Sequence, residues 1–467
     1  MVERVERHLV RRGDANYKVF AKLCSMCRKL GNATTHYLRH LIFFGIPLGS
    51  KWDTDKKKKK KKKIREIYPD LYRALPSAMA QRQVQIVHQQ FTTFYASLAA
   101  YKEDPSKFTG KPNLLGYAKK YRTLFVNRNG YKIENGKLFL AKGQKLGIQP
   151  TKVLCCQNQP FNAKCGAVCG DLRIVPMGHS FMLELTYEVE DQVEDPKAAV
   201  ALDKDHALVI DLGIRNLVTA ISTRPGVPPL LVKGGVVKSI NQWYNKHVAN
   251  LLDTGHDSVI ALLQAGDNRK AKFRRSAIYE HLAEIARKRN FQIYDLMHKV
   301  SHLVIEYCLA NDLGTIVIGL NRDWKQRCTL GRVGNQRFVQ IPHARLVAQI
   351  TNKAQAVGIN VIVREESYTS KASNLDFDPI PASYKKDAKY QFSGKRFRGL
   401  YRTKDGRFIN SDINGALGIA RKELGDEWLR TLLVNGGFVD KPVVIRNLHQ
   451  KADCGALLKA VATLRNR

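Results

Sequence analysis

Acidic side chains are scarce in this chain of 467 residues: 41 aspartates and glutamates stand against 78 lysines and arginines, a formal balance of +37. An imbalance of that size usually means a polyanionic partner, nucleic acid being the commonest; a merely basic soluble enzyme is the other reading. Long apolar runs are missing too. None approaches the roughly 18 uninterrupted residues of a membrane span, and "MVERVERHLVRRGD" at the start has no apolar core of a secretory signal. Cysteine is sparse and irregularly spaced, nine in all, which suits reduced thiols inside a cell better than a disulfide framework. There is no internal repeat. The expectation is a cytosolic, multidomain protein facing nucleic acid and no membrane.

What is there is globular: 44% of the residues are hydrophobic, and the length allows two to four domains. Residues 1 to about 50 mix basic residues with helix-compatible spacing of Phe20, Leu23, Cys24, Leu30, Tyr37 and Leu41. Lys56 to Lys63 is an unbroken lysine run, which repels itself and reads as a solvated loop, a phosphate contact or a nuclear import signal. Leu75 to Tyr101 reads as a helix with Pro76 near its start, and "KFTGKPNLLGYAKKYRTLFV" pairs lysines, among them Lys111, Lys119 and Lys120, with aromatics. Between about 121 and 198 the period falls to two, predicting short antiparallel strands in a small barrel-like module. "EDQVEDPKAAVALDKD" makes a linker. Beyond it strands and helices alternate, the strands continuously apolar, which predicts a mixed sheet covered on both faces. Residues 275 to 310 read as two helices.

Three carboxylates stand out. Asp211 interrupts the apolar strand "VIDLG", where an unpaired charge costs several kcal/mol and calls for a cation. Asp412, in "INSDINGALGIA", lies at or next to a helix N-terminus, where an ordinary N-cap is the competing reading. Glu366 ends the strand "VIVREE". Carboxylates converging on strand and helix ends can hold two Mg²⁺ ions roughly 3.5–4 Å apart, which activate water and stabilise the leaving oxygen of a phosphodiester.

"VIDLGIRNLVT", "GTIVIGLNRDWKQ", "REESYTSKAS" and "SDINGALGIARK" resemble, in order, the RuvC-like nuclease motifs of the TnpB proteins of bacterial insertion elements, relatives of type V CRISPR effectors and Fanzor proteins. "LPSAMAQRQVQ…KFTGKP" and "LRIVPMG" resemble the same family's N-terminal half. The resemblance implies an RNA-guided DNA endonuclease whose partners are a guide RNA and double-stranded target DNA with a short flanking motif. It implies α+β and α/β domains: an N-terminal segment and helical recognition lobe over 1–120, and a wedge β-barrel over 121–198. An RNase H-like (RuvC) α/β nuclease domain follows over 205–422, with a helical insertion at about 240–310. Residues 423–467 fall outside the resemblance and read as a basic tail. Asp211 and Asp412 match the first and third catalytic carboxylates and, with Glu366, the expected metal ligands for Mg²⁺, or Mn²⁺ in its place.

Two departures matter. The family's second glutamate follows the "IVIG" strand, where this chain has Gly319 and Leu320. In a subset of TnpB proteins and in Fanzors the acid precedes "YTS", which favours Glu366, two residues before Tyr368, with Glu365 as second choice. Neighbouring strand ends lie ~5 Å apart, so a carboxylate on the next strand reaches the same metal. The family's CxxC pairs are also missing: residues 371 to 412 hold neither Cys nor His, so no zinc is expected there, and a hairpin turning at Asp405-Gly406 within about 371–410 is expected instead. Cys24 and Cys27 read as core, and Cys155, Cys156, Cys165 and Cys169 as a cluster of open role. Arg287, Lys288 and Arg289, Lys325, Arg332 and Arg337, Lys371, Lys395, Arg396 and Arg398 are phosphate-contact candidates, each equally readable as a solvated face. Two rivals remain: a cleavage-dead RNA-guided repressor, and a guide-independent DNA-binding accessory of transposition. Monomer or dimer is open.

Overall fold

The computed structural model describes residues 2–44, 64–140, 148–153, 167–189, 202–321, 331, 334, 339–382, 390–397, 399–438 and 440–446. The chain divides into two compact units, Met1–Gln192 and Val193–Arg467, and its class is mixed α and β.

The first unit joins helices to a sheet. Helices α1 (Tyr17–Phe43) and α3 (Ser77–Glu103), with the short α2 (Pro69–Arg73) between them, bury Phe20, Leu23, Leu30, Met79 and Val84 together with Leu172, Ile174 and Leu183 of the strands. Cys24 and Cys27 are part of this core, and burial pushes the Cys27 thiol up to about 12. The barrel expected over 121–198 is not closed among the described residues. Instead β1 (Val2–Val10), β7 (Ser180–Val189), β6 (Ala167–Met177) and β2 (Leu124–Val126) form an open four-stranded sheet in that order. Strands β3 (Tyr131–Glu134), β4 (Lys137–Leu140) and β5 (Thr151–Lys152) form a separate one. Strand β1 runs antiparallel to β7 over its whole length, where the sequence reading has helix-compatible spacing. "VERVERHLV" carries few apolar residues and no clean alternation, so pairing with β7, not pattern, makes it a strand. The lysine run, Cys155, Cys156 and Cys165, and the linker up to residue 201 lie outside the described residues, as does the side chain of Cys169.

The second unit is built on a six-stranded sheet: β12 (Asn360–Arg364), β11 (Thr315–Gly319), β8 (Ala207–Asp211), β9 (Asn216–Ser222), β10 (Leu230–Lys233) and β16 (Val443–Ile445). Strands β8, β9 and β10 form an antiparallel meander; β11 and β12 run parallel to β8, and β16 parallel to β10. Both faces are covered, which is why β9 and β11 are buried along their whole length without alternation. On one face the second half of α5 (Asn268–Ala310) and α6 (His343–Ala356) pack through Ile293, Met297, Val300, Val304, Leu346 and Ile350. On the other lie α7 (Ser411–Leu424) and α8 (Glu427–Val434), through Ile413, Leu417, Ala420 and Leu429.

The two helices expected over 275–310 are one. Helix α5 runs unbroken for 43 residues because neither glycine nor proline interrupts it, and its partner is the preceding α4 (Gly235–Gln264). The stretch after 422 is more than a tail, since α8 and the edge strand β16 belong to the sheet layer. The hairpin expected near Asp405-Gly406 is present: β14 (Leu400–Arg402) and β15 (Phe408–Asn410) pair antiparallel, Gly406 turns at φ +84°, and β13 (Lys395–Phe397) adds a third strand.

Candidate nuclease site

Asp211 is the last residue of β8, Glu366 follows β12 by two residues, and Asp412 is the second residue of α7. The parallel run of β8, β11 and β12 brings their C-terminal ends to one edge of the sheet, and α7 begins there.

The electrostatics register the convergence. Asp211 keeps partial solvent access, yet burial, then the charges of Glu366 and Asp412, push its carboxyl well above the usual range, with Arg396 pulling the other way. Glu366 is pushed up to about 7, first by burial and then by Glu365, while Lys422 opposes. A buried carboxylate beside two others is a charge that a divalent cation would relieve.

Glycines make the room. A Cβ on Gly319 would stand 2.8 Å from Glu366 Oε2 and 2.3 Å from Ile419 Cδ1. The place where the TnpB glutamate usually follows the strand is thus filled by the carboxylate arriving from the next strand. A Cβ on Gly415 would stand 2.6 Å from Asp211 Oδ2, so α7 carries the Asp211 carboxylate against its own backbone.

Asp412 is not the N-cap. Asn410 holds that position, its Oδ1 accepting from Asp412 N at 2.9 Å and Ile413 N at 3.3 Å, which leaves the Asp412 carboxylate for other work. Asn216 Nδ2 donates to Asp412 Oδ2 at 2.7 Å, and Lys233 Nζ donates to Asn216 Oδ1 at 2.8 Å. The β9–β10 register shifts at Val232/Lys233, and such an irregularity re-aims the side chain beside it. Neither Asn216 nor Lys233 stood out in the sequence; the asparagine five residues after Asp211 was the only signal. Arg396 Nη2 lies 3.3 Å from Asp412 Oδ1.

Glu365 goes elsewhere. Its Oε2 accepts from Lys422 Nζ at 2.8 Å, and its Oε1 accepts from the Ser367 N–H and hydroxyl. Burial raises its pKa, but the bonds from Lys422 and Ser367 outweigh that and hold it below the ordinary value.

An all-oxygen, all-carboxylate donor set suits hard divalent cations, and the cradle beside Gly319 and the guanidinium on Asp412 mark the place such charge would take. As placed, the described residues include no group of three or more His, Cys, Asp or Glu side chains that could hold a metal ion.

The basic candidates divide. Lys371, Lys395 and Arg396 are exposed, and Lys371 Nζ lies 5.7 Å from the Tyr368 ring centroid. Arg287, Lys288 and Arg289 sit inside α5, which starts at Asn268. Lys288 is exposed over the Trp243 ring. Arg287 pairs with Glu284. Arg289 is committed internally, to Asn241 Oδ1 and Gln340 O, both at 2.8 Å. His343 is the fully buried first residue of α6. Lys325, Arg332, Arg337 and Arg398 lie outside the described residues. In the first unit Lys111, Lys119 and Lys120 are exposed, near in sequence to Asn113. That residue helps line an open groove of about 420 Å³ with Gln89, Gln90, Thr93, Phe94 and Ser97.

Residues 184–325 match the family model OrfB_IS605, described as a probable transposase, the TnpB family that the motifs resemble. No curated protein matches the chain. Among solved structures, a mini-RNA-guided endonuclease, CRISPR-Cas_phi3, is similar at 10% identity and TM-score 0.44, over 90% of this chain and 92% of that one. A Cas12f1–sgRNA–target DNA complex is similar at 13% identity and TM-score 0.30, over 90% of this chain and 100% of that one. At these scores the likenesses fix neither the activity nor the partners of this chain.

Proposed function

We propose, from the match of residues 184–325 to the family model OrfB_IS605, that the chain is a transposon-associated, RNA-guided DNA endonuclease with a RuvC-like site formed by Asp211, Glu366 and Asp412. The observation that carries the proposal is the gathering of these three carboxylates at one end of the sheet, at the ends of β8 and β12 and the start of α7. An antiparallel three-strand meander flanked by two parallel strands, in the order β12-β11-β8-β9-β10, is the RNase H-like arrangement that the resemblance implies, and it supports the reading.

Asp211, Glu366 and Asp412 would hold divalent cations, and Mg²⁺ bound there supplies an activated water and charge stabilisation for the leaving oxygen. The chain's own contribution is positional. Asn216, oriented by Lys233, fixes the rotation of the Asp412 carboxylate. Arg396, at the same carboxylate, is placed to meet a phosphate. The net charge of +37 offsets the repulsion between a polyanion and a carboxylate site. Base pairing with a guide RNA would read the target, the protein reading only a short flanking duplex.

The test uses protein co-expressed with its flanking DNA, so that its RNA is retained, and a plasmid carrying the matching target beside a randomised flank. With Mg²⁺, cuts should depend on the RNA. They should fall on the order of 10³-fold in Glu366→Ala and stay within a few-fold in Glu365→Ala. RNA-dependent binding without cuts would convert the reading to a repressor, and RNA-independent binding to a transposition accessory.

A further inference from the structure

Two aspartates that the proposed reaction does not use gather three separate stretches of chain. Asp378, 9% exposed, accepts through Oδ2 from the backbone N–H of Ser373 at 2.8 Å and of Ser393 at 3.0 Å, and through Oδ1 from the Ser393 hydroxyl at 2.7 Å. Asp376 Oδ2 accepts from the Lys404 N–H at 2.7 Å and from the hydroxyls of Ser373 and Ser393. Ser373 follows the "YTSKA" turn after Glu366, Ser393 stands two residues before β13, and Lys404 lies in the β14–β15 turn. Charge-assisted bonds to backbone donors are the strong kind. The bonds from Ser373 shape the local turn, but those from Ser393 and Lys404 reach across 15 to 28 residues, so they set position as well.

What they position is Arg396. It is the middle residue of β13 and pairs across to Tyr401, on the sheet face where Tyr401 and Ile409 are buried. Tyr401 donates to Lys371 O at 2.7 Å, and Ser411 N donates to Gly399 O at 2.9 Å, so the small sheet is fastened to the carboxylate end of α7. A three-stranded sheet with three-residue strands has little cooperativity of its own and depends on such ties.

We propose that Asp376 and Asp378 form a carboxylate buckle whose role is to hold the β13–β15 sheet so that Arg396 stays at Asp412; Asp376, Asp378, Ser373 and Ser393 are positioning residues. The role rests on the nuclease reading above. The device needs no metal of its own, since backbone amides and hydroxyls supply the cross-links.

The experiment measures single-turnover cleavage by the RNA-loaded full chain at saturating target, in Asp378→Asn and in the milder Ser393→Ala, each alone and with Arg396→Ala. Amide hydrogen exchange is followed at Ser373, Ser393 and Lys404. Asn keeps one acceptor and loses the charge and the second. Each buckle variant should cleave about tenfold more slowly with target affinity unchanged, and exchange at those amides should rise. In the Arg396→Ala background the same variants should cost nothing further, because residues acting through one another are non-additive. Equal losses in both backgrounds, or unchanged exchange, would overturn the buckle. A wild type that binds RNA and target but cuts nothing overturns the nuclease reading, and with it the catalytic role of the buckle; the exchange data then still report whether the cross-link exists.

Discussion

At the scale of single residues the site is an exchange of positions between neighbouring strands. Gly319 ends β11 where the TnpB pattern places its acid next, and Glu366 comes from beyond β12 to fill the space beside it. The two residues therefore depend on each other. In Gly319→Ala the added methyl would meet the Glu366 carboxylate and Ile419, an overpacking that costs about 1–3 kcal/mol. The expected outcome is a chain with a lower denaturation midpoint and a cleavage rate reduced out of proportion to that loss, measured at a temperature where both proteins are fully folded. An unchanged rate would mean that Glu366 is not held by this contact. The sequence made the two glutamates visible as consecutive acids but gave no contact to separate them. The partners of Glu365, Lys422 and Ser367, are what distinguish its surroundings from those of Glu366.

At the scale of elements, α7 carries the site. Its buried faces run almost all round, with Ile413, Asn414, Ala416, Leu417, Ile419 and Ala420 enclosed, so its start cannot shift without disturbing the sheet. Asn410 sets that start by accepting from two of the helix's first N–H groups. Asn410→Ala should cost about 0.5–2 kcal/mol in chemical denaturation, and it should weaken Mg²⁺-dependent cleavage as well, since the Asp412 N–H loses its acceptor. A stability loss without any change in the metal requirement would separate capping from the site. Periodicity gave α3, α6, α7 and the central strands; it divided α5 wrongly and missed β1. The first runs on because neither glycine nor proline interrupts it, and a ladder with β7 makes the second, a partner that no local pattern reads.

At the scale of the whole molecule the carboxylates couple site to stability. In the unfolded chain Glu366 would lose its proton near the ordinary 4.5; folded and without metal it loses it at about 7. Between those values the folded chain binds more protons than the unfolded one, so this group makes stability fall as pH rises through that window. Metal-free protein should therefore lose melting temperature from pH 5 to pH 8 more steeply than Glu366→Gln. Mg²⁺ should raise the melting temperature at pH 8 and have little effect at pH 5, where it competes with protons. Identical slopes for the two proteins in thermal melts would show that Glu366 is not titrating in this window. Among the described residues no helix is long and apolar enough to cross a membrane.

The sequence by itself determined the apolar strands, the excess of positive charge and the three carboxylates that interrupt or end those elements. Each is a local property, fixed by residue type and spacing along a few turns or one strand. The tertiary structure decided what those residues meet. It placed the Glu366 carboxylate against a glycine on the next strand, gave the N-cap to Asn410 so that Asp412 was left to Asn216 and Arg396, and turned the N-terminal segment into a sheet edge. Contacts between residues as far apart as Asn216 and Asp412 arise only when the sheet order is set. That order is chosen by burial on both faces at once, which no window of sequence contains.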